Sequence, residues 1–107
     1  MPVSLARLAR NQILFREVNE RIAELDRLRD GPFEFLCECS DVACTDALAL
    51  ELNEYDAVRA RPRHFVIVPG HEITAVARVV EERDRFTVVE RTIAIELPAE
   101  VDPPPPR

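Results

Sequence analysis

Three cysteines fall close together in Phe35-Leu36-Cys37-Glu38-Cys39-Ser40-Asp41-Val42-Ala43-Cys44. Thiolates at such spacing are soft metal ligands. Cys37 and Cys39 are separated by one residue, tighter than the two to four usual between paired zinc ligands. Cys44 follows after four more, within reach across a loop. An apolar run entering a polar loop is how a zinc knuckle is built: a strand end presents the first thiolate and a turn brings back the others. Ser40, Asp41 and Thr45 can shape that turn with local hydrogen bonds. A tetrahedron still lacks one ligand. His71 is the expected fourth, because Pro69-Gly70-His71-Glu72 follows a strand-like segment and a sharp turn can aim its ring. Glu72 or a backbone carbonyl would then orient the other ring nitrogen. His64 competes, but it opens the same strand in phase with Val66 and Val68, as a partly exposed strand residue would. A carboxylate such as Asp41 or Asp46, or a water, is the remaining alternative. The expected site is thus Cys37, Cys39, Cys44 and His71, and the expected cofactor is zinc.

Other readings of the thiols fit less well. The loop is too polar to be a core of packed cysteines, and adjacent Cys-x-Cys pairs bridge only with strain. A [2Fe–2S] cluster also takes three Cys and one His, as in the CDGSH family. There the third Cys lies further away and the His follows it closely, whereas Thr45-Asp46-Ala47-Leu48 supplies no His. Three sulfurs and one nitrogen leave no open metal position, which marks a structural site. The zinc deaminase signature, HExxH, the Walker A loop, GxGxxG and GxSxG are all absent. With two glycines in the chain, Gly31 and Gly70, no phosphate-cradling glycine loop exists. No catalytic set is recognisable, and the balance is against an enzyme. The expected role is a zinc-stabilised interaction or regulatory module with a protein partner. The alternatives are a thiol redox switch that releases zinc on oxidation, and a metalloenzyme with an open metal position.

The elements that position these residues form one small domain, 1–97, followed by a disordered Pro-rich tail, 98–107. A chain of 107 residues has room for no more, and a metal staple matters at that size. Fourteen cationic side chains, all Arg, stand against 20 acidic ones, for a net charge of −6. That balance opposes general nucleic-acid binding. No segment is apolar enough for a membrane span. Met1–Asp30 lacks the apolar stretch of a signal peptide. A cytoplasmic location is expected, where thiols stay reduced.

The fold class expected is α+β: a long N-terminal amphipathic helix on a small, mostly antiparallel sheet, with a short inserted helix and the knuckle loop. The periodicity predicts a helix over Ser4–Arg29, capped by Ser4, with Leu14, Val18, Ile22, Leu25 and Leu28 as its apolar stripe. Gly31-Pro32 ends it. Phe33–Cys37 is a strand and Cys39–Thr45 a loop. Leu48, Leu50 and Leu52 alternate as a half-buried strand. Asn53 caps a helix over Glu54–Ala60, stopped before Pro62. Phe65–Val68 is a strand broken by Pro69-Gly70. A helical turn near Thr74–Ala77 leads to a hairpin of Arg78–Arg83 and Arg85–Arg91 across Asp84, which Thr92–Leu97 extends.

These residues carry a resemblance. Leu14–Ile22, Cys37-Glu38-Cys39-Ser40-Asp41 with Cys44, Glu54-Tyr55 with Val58-Arg59, Phe65-Val66, Pro69-Gly70-His71-Glu72, Val79-Val80-Glu81 and Val88-Val89-Glu90 resemble a group of small uncharacterised proteins of actinobacterial type. The resemblance implies that His71 belongs with the cysteines. It brings no activity with it. Within it, Tyr55 is expected to pack its ring on the sheet and bond through its hydroxyl. Asn19 either faces solvent or makes a polar contact to the knuckle. Arg59, Arg61, Arg63 and His64 form a basic island, read as charge that complements a helix end and nearby carboxylates. Its other reading is an anion site.

Overall fold

In the computed structural model, which describes residues 4–25 and 31–93, the chain is α+β as expected. Helix α1 spans Leu5–Leu25 and helix α2 spans Leu52–Arg59. The strands are β1 (Pro32–Leu36), β2 (Ala47–Glu51), β3 (His64–Ile67), β4 (Ala77–Glu82) and β5 (Thr87–Arg91). They form two antiparallel ladders rather than one sheet: β1 with β2, and β3-β5-β4 with β5 in the middle. The knuckle segment joins them. Cys37 N–H bonds to the Asp46 carbonyl at 3.1 Å, prolonging the first ladder, and Glu38 N–H bonds to the Val66 carbonyl at 2.8 Å on the outer edge of β3. Phe35, Leu50, Tyr55, Phe65 and Val89 fill the core between the ladders, and the Phe35 and Tyr55 rings stack at 4.5 Å.

Ser4 caps α1 as expected: its hydroxyl accepts the Arg7 N–H at 3.1 Å. The helix rests on a different face from the expected stripe. Leu14, Val18 and Leu25 are 54%, 41% and 77% exposed, and only Ile22 touches the core. Leu28 and Arg29 lie outside the described residues. The buried positions are Ala9, Gln12, Asn19 and Ala23, with Arg16 between them. The reason is steric and polar. Alanines let the helix approach closely, and Asn19 and Arg16 bind backbone groups of other elements. Arg16 donates to the carbonyls of Pro62 at 2.6 Å, Arg61 at 3.3 Å and His64 at 3.4 Å, and to that of Arg59 at the end of α2. Its guanidinium also lies 5.5 Å from the centre of the Phe65 ring. A cation among the carbonyls at a helix C-terminus is favoured by the helix dipole.

Helix α2 begins two residues earlier than Asn53 would have it. Glu51 is the cap, and the Glu54 carboxylate accepts its N–H at 2.8 Å, so Leu52 turns from strand into helix. The expected helical turn is present, with Val76 and Ala77 N–H both bonded to the Ile73 carbonyl. The hairpin follows, its turn closed by Arg83 N–H to the Phe86 carbonyl at 2.8 Å. A bulge between Val79 and Glu81 disturbs the β4 edge. Thr92 leaves the ladder and bonds to Val76, so β5 ends at Arg91. Residues 94–107, including the expected tail, lie outside the described residues.

Candidate metal centre

Cys37 is the first residue past β1. Its sulfur accepts the Val68 N–H at 3.2 Å, which anchors it to the exit of β3. Three residues on, Ser40 adopts φ 83°, a left-handed conformation unusual for a side-chain-bearing residue. That reverses the chain and leaves the Ser40 carbonyl to accept from Asn11 of α1 at 2.8 Å. Asp41 then organises the return. Its carboxylate accepts Ala43 N–H at 2.9 Å and its carbonyl accepts Cys44 N–H at 2.9 Å, a local Asx turn that presents Cys44. His71 arrives from the opposite side. Its N–H bonds to the Val68 carbonyl at 3.0 Å across Pro69-Gly70, and Gly70 holds φ 90°, as the third position of a type II turn requires.

Nδ1 of His71 lies 3.5 Å from the Cys37 sulfur and 3.6 Å from the Cys44 sulfur. The ligand atoms of Cys37, Cys39, Cys44 and His71 all fall within 4.8 Å of one another, close enough to bind one metal ion. A tetrahedral ion with metal–sulfur bonds of about 2.3 Å and metal–nitrogen bonds of about 2.0 Å spaces its ligand atoms roughly 3.5–3.8 Å apart. The two sulfur–nitrogen distances match such edges. A single thiol–imidazole hydrogen bond would explain one contact, not one ring nitrogen facing two sulfurs with a third beside them. All three cysteines are free of disulfides. Cys37 and Cys39 are buried, and burial first of all pushes both thiols above their ordinary pKa. Cys44 is half-buried and, with Cys39, Asp41, Asp46 and His71, lines an open depression.

Among the described residues, the far nitrogen of His71 meets Asp46 rather than the expected Glu72 or a backbone carbonyl. Nε2 sits 3.5 Å from Oδ2 of Asp46. Asp46 therefore faces the back of the ring, the position of an outer-shell carboxylate, and Asp41 is occupied by its turn. His64 is not among the cluster residues; its ring bonds to Glu90 at 3.3 Å.

Glu38, the residue between the paired cysteines, was not singled out by the sequence reading. Its side chain is buried beneath the knuckle. Oε1 accepts Val66 N–H at 2.9 Å, and Oε2 accepts from Asn19 at 2.8 Å and from the Tyr55 hydroxyl at 3.3 Å. Burial pushes its carboxyl up to about 7, against the pull of these donors and of Arg16. Asn19 completes the clamp by exchanging two hydrogen bonds with the Leu36 backbone, at 2.9 and 2.8 Å. Asn19 is thus the polar contact to the knuckle, and Tyr55 packs and bonds as expected. The signal available was the pairing of a carboxylate inside Cys-x-Cys with an Asn at a buried helical position.

The basic island is largely engaged. Arg59 pairs with Glu20 at 3.2 Å, Arg63 donates to the Ile93 carbonyl at 3.0 Å, and His64 and Arg78 share Glu90. No protein-family model, curated protein or solved structure matches the chain.

Proposed function

We propose that the chain is a small zinc-stabilised module that acts by binding a protein partner. The observation that carries the reading is the convergence of three sulfurs and one imidazole nitrogen within 4.8 Å. Ligands shared between two irons across bridging sulfides stand wider apart than this, so the spacing favours a single ion. A borderline-soft tetrahedral ion with three sulfurs and one nitrogen is zinc's structural set, and it leaves no coordination position for a substrate. The bound metal ties Cys37 at the end of β1 to the turn after β3, so its binding free energy becomes folding free energy.

The partner reading rests on α1. Its apolar stripe of Leu14, Val18 and Leu25 faces outward while polar side chains seat the helix. A net charge of −6 opposes a nucleic-acid partner. No described helix is long and apolar enough to cross a membrane. Free thiols accord with the reducing cytoplasm. The resemblance to small actinobacterial-type proteins is part of the same proposal.

Metal analysis of tag-free protein purified without added metal tests the reading. One zinc per chain and a colourless solution are expected. Sulfur-to-iron absorption in the visible would replace zinc with a cluster. Metal-free protein whose stability is unmoved by added zinc would overturn the module.

A further inference from the structure

The four ligands are held unequally. The backbone of Cys37 to Ser40 is gripped from behind by groups that do not touch the metal. Asn19 holds Leu36 and Glu38, Asn11 holds the Ser40 carbonyl, Val66 pairs with Glu38, and Val68 N–H holds the Cys37 sulfur. Cys44 sits on the other limb of the loop, between exposed Ala43 and Thr45. Its own limb is shaped by the Asp41 turn and rejoins the first ladder two residues later, at Asp46. It lines an open depression of about 370 Å³, together with Cys39 but without Cys37. A small neutral oxidant the size of a water or two, each about 30 Å³ in the liquid, fits there. Asp41 and Asp46 on the same walls disfavour an anionic one.

Resting on the metal reading above, we propose that the centre is a peroxide-sensitive switch in which Cys44 is oxidised first and Cys39 resolves it. The Cys44 thiolate attacks hydrogen peroxide. A sulfur–oxygen bond forms, the oxygen–oxygen bond breaks, and hydroxide leaves. The Cys39 thiolate then attacks the Cys44 sulfenic sulfur, forms the disulfide and expels a second hydroxide. Two thiolates lose two electrons to one peroxide. The metal keeps Cys37 and His71 alone and is released. Cys39 is the resolving thiol because it shares the open depression with Cys44 and the loop between them spans the reach. A Cys37–Cys39 bridge would be strained, and Cys37 faces the Val68 amide. A dithiol reductant reverses the change by thiol–disulfide exchange.

The switch is local. The Cys37–Ser40 backbone stays seated against α1 and β3, while the limb carrying Cys44 and the turn carrying His71 lose their tie. The partner-facing α1 stripe therefore persists, and the surface around the depression is what changes.

Zinc-loaded full chain is titrated with hydrogen peroxide in the presence of a metallochromic chelator. Release of one zinc per peroxide consumed is expected, with a mass loss of two hydrogens. Peptide mapping should place the bridge at Cys39–Cys44, and dithiothreitol with zinc should restore the loaded state. Cys44→Ser, whether or not it retains metal, should form no disulfide at low peroxide. Zinc retained under peroxide, or a bridge mapped to Cys37, overturns the switch and leaves the metal module standing. A chain that never takes up metal overturns both.

Discussion

Asp46 Oδ2 stands 3.5 Å behind Nε2 of His71, on the side of the ring away from the sulfurs. An imidazole that presents Nε2 to this carboxylate leaves Nδ1 to face the sulfurs, the layout of a carboxylate–histidine–metal arrangement. Asp46→Ala should lower zinc affinity by about 10–100-fold, the cost typical of removing such a partner. Competition with a chelator of known affinity measures it. An unchanged affinity would mean that the His71 ring is held by its turn alone.

His71→Ala removes a ligand, and should cost more affinity than Asp46→Ala and lower the melting temperature in the presence of zinc. His64→Ala loses only a partly exposed pair with Glu90 and should leave zinc retention unchanged. Zinc retention and melting curves of both variants, with and without chelator, make the comparison. Metal loss in His64→Ala instead would reassign the fourth ligand.

Metal loading should expel protons. Burial raises the Cys37 and Cys39 thiols above their ordinary values, so both hold their protons at pH 7 in the metal-free protein. Zinc must displace both. Acid therefore weakens binding, and affinity should rise on the order of 100-fold per pH unit for two protons released. Calorimetry in buffers of different ionisation enthalpy counts them; fewer than one proton per zinc would contradict the buried-thiol description.

Glu38→Ala strips the acceptor from Val66 N–H and Asn19 Nδ2 in a buried place. Leaving such donors unpaired costs about 2–4 kcal/mol in total. Asn19→Ala should cost a similar amount, because Leu36 loses two bonds. Urea unfolding at saturating zinc measures both, and losses under about 0.5 kcal/mol would show that the clamp is incidental.

The seating of α1 has its own test. Leu14→Glu and Leu25→Glu should each change stability by no more than about 0.5 kcal/mol, as exposed substitutions do. Ala23→Leu should cost about 1–3 kcal/mol by overpacking a fully buried position. The opposite ranking would put the leucine stripe on the core.

The grouping of Cys37, Cys39, Cys44 and His71 was legible in the sequence because its chemistry is sharp: thiols in a polar loop and a histidine after Pro-Gly have few other uses. The strand of Phe65 to Ile67 and the hairpin were legible for a similar reason, β-branched runs broken by turn residues. The face of α1 was not. Periodicity finds an apolar stripe wherever it lies, and Leu14, Val18 and Leu25 form a clean one. What seats the helix is a pair of alanines and two polar side chains aimed at backbone groups 17 to 48 residues away, which no local pattern records. Glu38 escaped for the same reason, since a carboxylate reads as surface until its donors from α1, α2 and β3 are in place. Asn53 lost the cap to Glu51 because the reciprocal carboxylate at Glu54 was worth more than an intrinsic preference.

Arg16 and Asn19 lie one turn apart on α1, and each grips main-chain atoms at fixed points: carbonyls after α2 for one, the last residue of β1 for the other. A greasy helix face can slide or roll and lose contact by degrees. Bonds to main-chain groups cannot. Advancing α1 by one turn, about 5.4 Å, would break both grips at once and strand a guanidinium against Phe65 without its carbonyls. The helix thus has a single seat, and it should leave that seat in one abrupt step rather than by fraying inward from Ser4.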